Sequence, residues 1–258
     1  MRHHILITGA TSGIGQAIAM AAAKQKMAIS FTGIEAPEAG EVVAQRLLEN
    51  GADEARYFQV DLSHAEAARD VVGRIMSGKK RLDMVVNNAG IQHVAAIEDF
   101  DPHAWDKVLA VNLSAPFHIM AASLPIMKQA GFGRIVNIAS VHGLVASACK
   151  SAYVAAKHGI IGLTKTAALE TAQMNITCNA ICPGWVRTPL VEAQIEARAK
   201  EKGCDVEEEA RLLVSEKQPS GQFVTPEQIA KMTLFLLSEE AETITGSHFV
   251  MDGGWTAQ

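Results

Sequence analysis

Short runs of apolar, β-branched residues alternate along the chain with longer stretches whose apolar positions recur at helical spacing. The short runs lie at residues 4–8, 28–32, 56–60, 84–87, 134–138, 177–181 and 247–251. The helical stretches lie at 13–25, 37–49, 65–76, 105–128, 151–171 and 226–237. Runs that are apolar at nearly every position fit strands buried on both faces. Strands separated by helices in this way predict right-handed βαβ units, hence an α/β fold with a doubly wound parallel sheet. In such sheets ligands bind beyond the carboxyl ends of the strands. The segments that follow each strand therefore hold the candidate chemistry.

One segment breaks the alternation. Between Pro189 and Gln222 the chain is charged and helical, with Glu192, Glu196, Arg198, Lys200, Glu201 and the acidic run at 207–209. Two readings stand side by side: a solvated helical face, or a mobile helical substrate lid at about 189–222.

Composition narrows the picture. A chain of 258 residues with 48% hydrophobic and 20% charged residues suits one soluble core. A single domain over 1–258, carrying the lid, is expected. The net charge of −5 provides no basic field for nucleic acid or a membrane surface, and neither is expected as a partner. The apolar run after Met1-Arg2-His3 is too short for a signal peptide or a membrane span. The four cysteines form no C-x-x-C pair, and Cys178 and Cys182 sit in an apolar stretch without a second ligand pair. Core packing is the expectation for both, with no metal, in a reducing, cytoplasmic setting.

After the first strand comes Gly9-Ala10-Thr11-Ser12-Gly13-Ile14-Gly15, which opens directly into a helix. Glycines permit a tight turn and close approach to a pyrophosphate, while the helix amino terminus offers free N–H groups. Strand, glycine turn and helix together predict a dinucleotide site in a Rossmann-type sheet. Cofactor choice falls near the end of the second strand, at Gly33-Ile34-Glu35. An acidic group there accepts from a ribose 2′-hydroxyl and repels a 2′-phosphate, and no arginine or lysine accompanies it. NAD is favoured over NADP. Asp61-Leu62 after the third strand reads as an adenine contact or as a helix cap.

Tyr153 and Lys157 are spaced to share one helix face. A nearby ammonium is expected to lower the phenol pKa from about 10 and suit it to acid–base work. Ser140, after the fifth strand, would hydrogen-bond a substrate oxygen. The glycine turn, Asn87-Asn88-Ala89-Gly90, Ser140 with Tyr153-x-x-x-Lys157, and Pro183-Gly184 occur in this order at strand ends. Together they resemble the short-chain dehydrogenase/reductase family over nearly the whole chain. The resemblance implies that Asn88, Ala89 and Gly90 line the cofactor, and that Lys157 also holds the nicotinamide ribose. It further implies that Asn112 sustains a water chain behind Lys157. By the same resemblance the backbone of Pro183 and Gly184 runs along the nicotinamide, with Val186 and Thr188 at the carboxamide.

Within that family, the segments 88–93, 139–147, 150–153, 182–191, 215–219 and 252–258 resemble bacterial dehydrogenases of D-3-hydroxybutyrate. The resemblance places Gln92, His142, Lys150 and Gln194 around a substrate carboxylate beside Ser140 and Tyr153. Lys150 can supply a cation and Trp185 an apolar wall. The implied reaction interconverts D-3-hydroxybutyrate and acetoacetate. Rival readings are an NADPH-dependent reductase of a bulkier ketone or 3-oxoacyl thioester, and a non-catalytic dinucleotide sensor. The stretches 105–128 and 151–171 are apolar around much of their circumference, which suggests association. The resemblance implies a homotetramer.

Overall fold

The structure, a computed structural model, describes residues 3–79 and 81–257. The ends of the expected domain, Met1-Arg2 and Gln258, lie outside the described residues, as do Lys80 and the side chain of Leu190. Seven strands form one parallel sheet in the order β3-β2-β1-β4-β5-β6-β7. They are β1 His4–Ile7, β2 Ala28–Gly33, β3 Glu54–Gln59, β4 Met84–Asn87, β5 Gly133–Ile138, β6 Ile176–Pro183 and β7 His248–Met251. The strand order reverses between β1 and β4, which opens a crevice at their carboxyl ends.

Alternate residues of the central strands face opposite sides of the sheet. Ile5, Ile7, Ile29 and Phe31 pack with α1 (Gly13–Lys24), α2 (Pro37–Glu49) and α9 (Pro226–Leu237). Leu6, Val85, Ile135 and Cys178 pack on the other face with α3 (Ala65–Met76), α5 (Ala115–Ala130) and α6 (Ser151–Glu170). Burial pushes the Cys178 thiol up to about 12 and the Cys182 thiol to about 11, so both are protonated packing groups.

Several bounds shift by a residue or two, β6 among them, and two differences have a plain physical cause. β3 begins at Glu54 rather than 56, because pairing with β2 starts at Ala28↔Glu54 on a sheet edge where apolar content is a weak guide. The helix expected at 105–128 runs over Pro102–Ala130. It consists of α4 (Pro102–Leu109), a π turn at Ala110–Ser114, and α5. Proline is tolerated in the first turn, and the Asp101 side chain caps the start by accepting the His103 N–H. By length and composition this helix could cross a membrane. Here Ala115, Ile119, Met120 and Met127 are packed into the core.

The charged segment after β6 forms α7 (Pro189–Lys202) and α8 (Val206–Ser215). Part of their contact is apolar, through Val191, Ile195, Ala210 and Leu213 against Trp185 and Phe223.

Candidate active site

The glycine turn lies at the sheet crevice because backbone and side chain both demand it. Gly9 has φ +62, and a Cβ there would meet the Ala89 backbone at 2.9 Å. Only glycine combines that left-handed conformation with that approach. Thr8 Oγ1 accepts the N–H groups of Asn88 and Ala89 at 2.9 and 3.0 Å. Asn88 returns the link, its Nδ2 donating to the carbonyls of Thr8 and Gly9, both at 2.9 Å. The post-β4 segment is thereby fastened to the turn after β1.

A cleft of about 690 Å³ runs over this junction. Gly9, Thr11, Ser12, Gly13, Ile14, Gly33, Ile34, Asp61, Leu62, Asn88, Ala89, Gly90 and Thr188, all expected at the cofactor, lie along it. Gly15 packs beneath, where a Cβ would strike Gly9 and Asn88. Pro183, Gly184 and Val186 line the adjoining small cavity instead. Glu35 is exposed at the cleft edge with its carboxylate folded back over Gly33. Its loop is held by Tyr57, whose hydroxyl donates to the Glu35 carbonyl at 2.7 Å. Asp61 accepts the Ser63 N–H at 2.9 Å, and hydrogen bonding from the Ser63 hydroxyl and then from that N–H holds its carboxyl below the usual range. The helix-cap reading of Asp61 is corrected: α3 begins after His64 with no side-chain cap, and Asp61 closes a local turn on Ser63 while lining the cleft.

The adjoining cavity, about 160 Å³, is lined by Ser140, Tyr153 and Lys157. Ser140 follows β5, while the other two share one face of α6. Lys157 is buried, and its Nζ donates to the Ile138 carbonyl at 2.7 Å while lying 5.5 Å from the Tyr153 ring centroid. Burial lowers Lys157 to about 8. The expectation that its ammonium lowers the Tyr153 pKa is corrected here. Burial raises Tyr153, and the opposing influence is a hydrogen bond from Ser140. Desolvation disfavours the charged form of each.

Asn112 lies on the π turn, buried, with its amide spent on Ile91 beyond β4. A π turn adds a residue to the helical circuit and so re-aims a side chain. Asn112 thereby fixes the wall of the cavity, close to where a Cβ on Gly90 would meet both it and Lys157 Nζ.

Of the residues expected around a carboxylate, His142 touches Tyr153, Lys150 is linked to it through Trp185 and Trp255, and Gln92 and Gln194 pair with each other. Lys150 Nζ sits 5.1 Å over the Trp185 ring, and burial lowers its pKa. Trp185 stacks on Trp255 at 6.2 Å. The His142 ring meets Trp255 and Tyr153 edge-on, at 5.4 and 5.8 Å. Gln194 on α7 donates to Gln92 Oε1 at 3.4 Å. His142 is pushed down to about 4 by burial, with Lys150 adding to the effect, so its ring is neutral. Both its nitrogens lie against serine hydroxyls, Nδ1 on Ser140 and Nε2 on Ser147.

Residues 9–256 match the family model described as enoyl-(acyl carrier protein) reductase. A D-beta-hydroxybutyrate dehydrogenase of Cupriavidus necator is 53% identical over 254 residues, covering 98% of this chain and 97% of the relative. One from Rhizobium meliloti is 46% identical over 253 residues, covering 98% of each. The chain belongs to the short-chain dehydrogenase/reductase family. Among solved structures, levodione reductase superposes on this dehydrogenase with a TM-score of 0.91, at 32% identity, covering 99% of this chain and 98% of the other. An Agrobacterium tumefaciens protein holding NADP gives 0.86 at 33% identity, covering 99% and 97%. The chain is thus an oxidoreductase of a family that uses nicotinamide dinucleotides.

Three residues of this dehydrogenase/reductase escaped the sequence reading as site residues. Gln218 is fully buried, its Oε1 accepting the Trp185 N–H and its Nε2 donating to the Gln222 carbonyl at 2.6 Å. It braces the loop after β6. Trp255 is placed by Asp252, which accepts the N–H groups of Gly254 and Thr256 at 2.9 and 2.7 Å. Ser147 is the third. Their only signal in the sequence was membership of the segments that carried the resemblance.

The charged faces of α7 and α8 are tied together rather than merely solvated. Arg187 reaches Glu192 at 2.8 Å and Glu207 at 3.0 Å. Glu209 is fully buried between Arg198 at 2.6 Å and Lys202 at 3.0 Å.

Proposed function

We propose that this enzyme interconverts D-3-hydroxybutyrate and acetoacetate with NAD as the hydride carrier. The carrying observation is the Lys150 ammonium, half-buried over Trp185, in a file of rings that continues through Trp255 and His142 to Tyr153. A short hydroxy acid offers one carboxylate for that cation, one hydroxyl for Tyr153 and a methyl group for the aromatic wall. Gln92 and Gln194 supply further hydrogen bonds to the carboxylate. His142 joins them only where the carboxylate replaces Ser147 at Nε2.

In oxidation the Tyr153 phenolate takes the hydroxyl proton as the hydride departs from the carbinol carbon. In reduction the phenol returns it. Ser140 donates to the substrate oxygen, and Lys157 holds the ribose side of the site. A bound dinucleotide would supply the hydride acceptor, and its positive nicotinamide charge would favour the phenolate that burial opposes. Glu35 supports NAD, since its carboxylate covers Gly33 at the edge of the cleft. Lys107, the cation among the described residues lining that cleft, acts on Asp61 instead. The NADP-bound relative makes the cofactor arm of the test essential.

The 189–222 segment acts as the lid, carrying Gln194 to the site. Half-exposed Phe117 on α5 and exposed Leu169 on α6 support a homotetramer packed through these helices. The free thiols support a reducing, cytoplasmic location.

The deciding assay is NADH formation with D-3-hydroxybutyrate, run beside the L-enantiomer, a longer 3-hydroxyacyl thioester and NADP. Turnover confined to the D-acid with NAD is expected. Turnover only with thioesters or NADP overturns the carboxylate site or the role of Glu35. No turnover with any of them brings forward a dinucleotide sensor.

A further inference from the structure

Beyond β6 the chain runs beside residues 222–224 in a short parallel pairing. Val186 bridges Val224, and the Trp185 carbonyl accepts the Val224 N–H at 2.9 Å. The next rung of a parallel ladder would carry the Trp185 N–H to the Gln222 carbonyl. The Gln218 amide occupies that rung. Its Oε1 accepts the Trp185 N–H, and its Nε2 donates to the Gln222 carbonyl at 2.6 Å. The amide is itself fixed, since Gln218 is fully buried and both its backbone groups are bonded. Its N–H donates to the Val214 carbonyl in the last turn of α8 at 2.8 Å, and its carbonyl accepts the Gly221 N–H at 2.9 Å. A Cβ on Gly184 would strike Oε1, so the glycine there admits the amide.

Trp185 needs such an anchor. A buried indole N–H ordinarily finds a partner that helps to place the ring. Here Nε1 is buried and bonds to none of the described residues. Packing alone holds the ring, against Trp255 at 6.2 Å and under the Lys150 ammonium at 5.1 Å. The polar anchors are on the backbone that carries it, Val224 at the carbonyl and Gln218 at the N–H.

We propose that Gln218 is a positioning residue whose amide, inserted between Trp185 and Gln222, sets where the Trp185 wall stands and thereby the chain length of the acid accepted. It acts through Trp185 rather than on the reacting atoms. The chain-length consequence rests on the short hydroxy acid proposed above, whereas the placement of Trp185 does not.

The test uses two variants of the full chain. Gln218→Met keeps the volume and removes both hydrogen bonds. Gln218→Glu reproduces both when protonated, its carbonyl accepting from Trp185 and its hydroxyl donating to Gln222, and loses the second when ionised. Burial raises such a carboxyl above its ordinary pKa of about 4.3, so the protonated form extends toward neutrality. Trp185 is followed without substrate by its indole ¹⁵N–H signal, assigned by its loss in Trp185→Phe. That signal should shift or split in Gln218→Met. In Gln218→Glu it should match wild type in mild acid and move toward the Gln218→Met position as the carboxyl ionises. In parallel, the ratio of kcat/KM for D-3-hydroxybutyrate over its homologue longer by one methylene should fall by about tenfold or more in Gln218→Met. A role in stability alone would lower Tm and leave that ratio in place. A wild-type Trp185 signal or an unchanged ratio in Gln218→Met overturns the proposal. Should that variant not fold, Gln218→Glu decides by itself, and a Trp185 signal indifferent to pH there overturns it. The signal needs no substrate, so it stands even if neither acid is turned over.

Discussion

Asn112 gives both ends of its amide to Ile91, accepting the Ile91 N–H at 2.9 Å and donating to the Ile91 carbonyl at 2.8 Å. A side chain on a π turn thereby completes the backbone bonding of a segment that has left the sheet. That segment, Asn88 to Ile91, forms the shared wall of the cleft over the glycine turn and the cavity lined by Ser140, Tyr153 and Lys157. Asn112 therefore couples the helix to the site through backbone, which is more than the water-relay role implied by resemblance.

Asn112→Ala should cost roughly 1 kcal/mol or more of stability, because it leaves part-buried backbone groups of Ile91 without their amide partner. Dinucleotide affinity should fall as well. Denaturant midpoints and a binding titration check both, and an unchanged midpoint would remove the bracing role.

Tyr153→Phe should lower turnover by at least about 10²-fold, since the proton carrier is lost while the ring remains. NAD binding should stay near wild type. Steady-state rates and nucleotide titration of the same preparation separate the two effects, and substantial activity would contradict the mechanism.

Lys150→Ala should reduce kcat/KM for D-3-hydroxybutyrate by about 10- to 100-fold, the worth of one charge-assisted bond of about 1.5–3 kcal/mol. The loss should appear mainly in KM. Equal kinetics in variant and parent would take Lys150 out of the substrate site.

His142 makes the fold sensitive to acid. Its pKa is about 4 in the folded chain against 6.5 for an unperturbed group, lowered by burial and by the facing charges of Lys150, His158 and Lys217. Between those values the unfolded chain binds more protons than the folded one, so stability is lost as pH falls from 6.5 toward 4. The contribution is up to about 3 kcal/mol. His142→Gln should flatten the fall of Tm across that window relative to wild type, and parallel Tm curves would refute the assignment.

Arg187→Ala should change stability by less than about 1 kcal/mol, because its pairs with Glu192 and Glu207 are part-exposed. It should nonetheless loosen α7 against α8. Limited proteolysis within 189–222 should quicken, and substrate should suppress that cleavage if the segment closes over the site.

The sequence by itself determined the layer architecture and the chemistry on offer. Strand and helix alternation, the turn Gly9 to Gly15, and the spacing of Tyr153 and Lys157 are local patterns, and local patterns survive being read in one dimension. Helix and strand periodicity likewise placed Ser140, Lys150 and Trp185 just beyond element ends, where they are found. What only the tertiary structure decided depends on burial and on contacts between distant parts of the chain. The sign of the Tyr153 shift follows from desolvation, which no spacing reveals. Gln92 meets Gln194, and His142 meets Trp255, because α7 and the carboxyl-terminal turn fold back over strands far from them in sequence. The π turn that aims Asn112 at Ile91 lay inside what read as one continuous helix, since apolar periodicity does not register a single extra residue. Side chains acquire proton affinities and partners from their surroundings, and those surroundings exist only once the chain is packed.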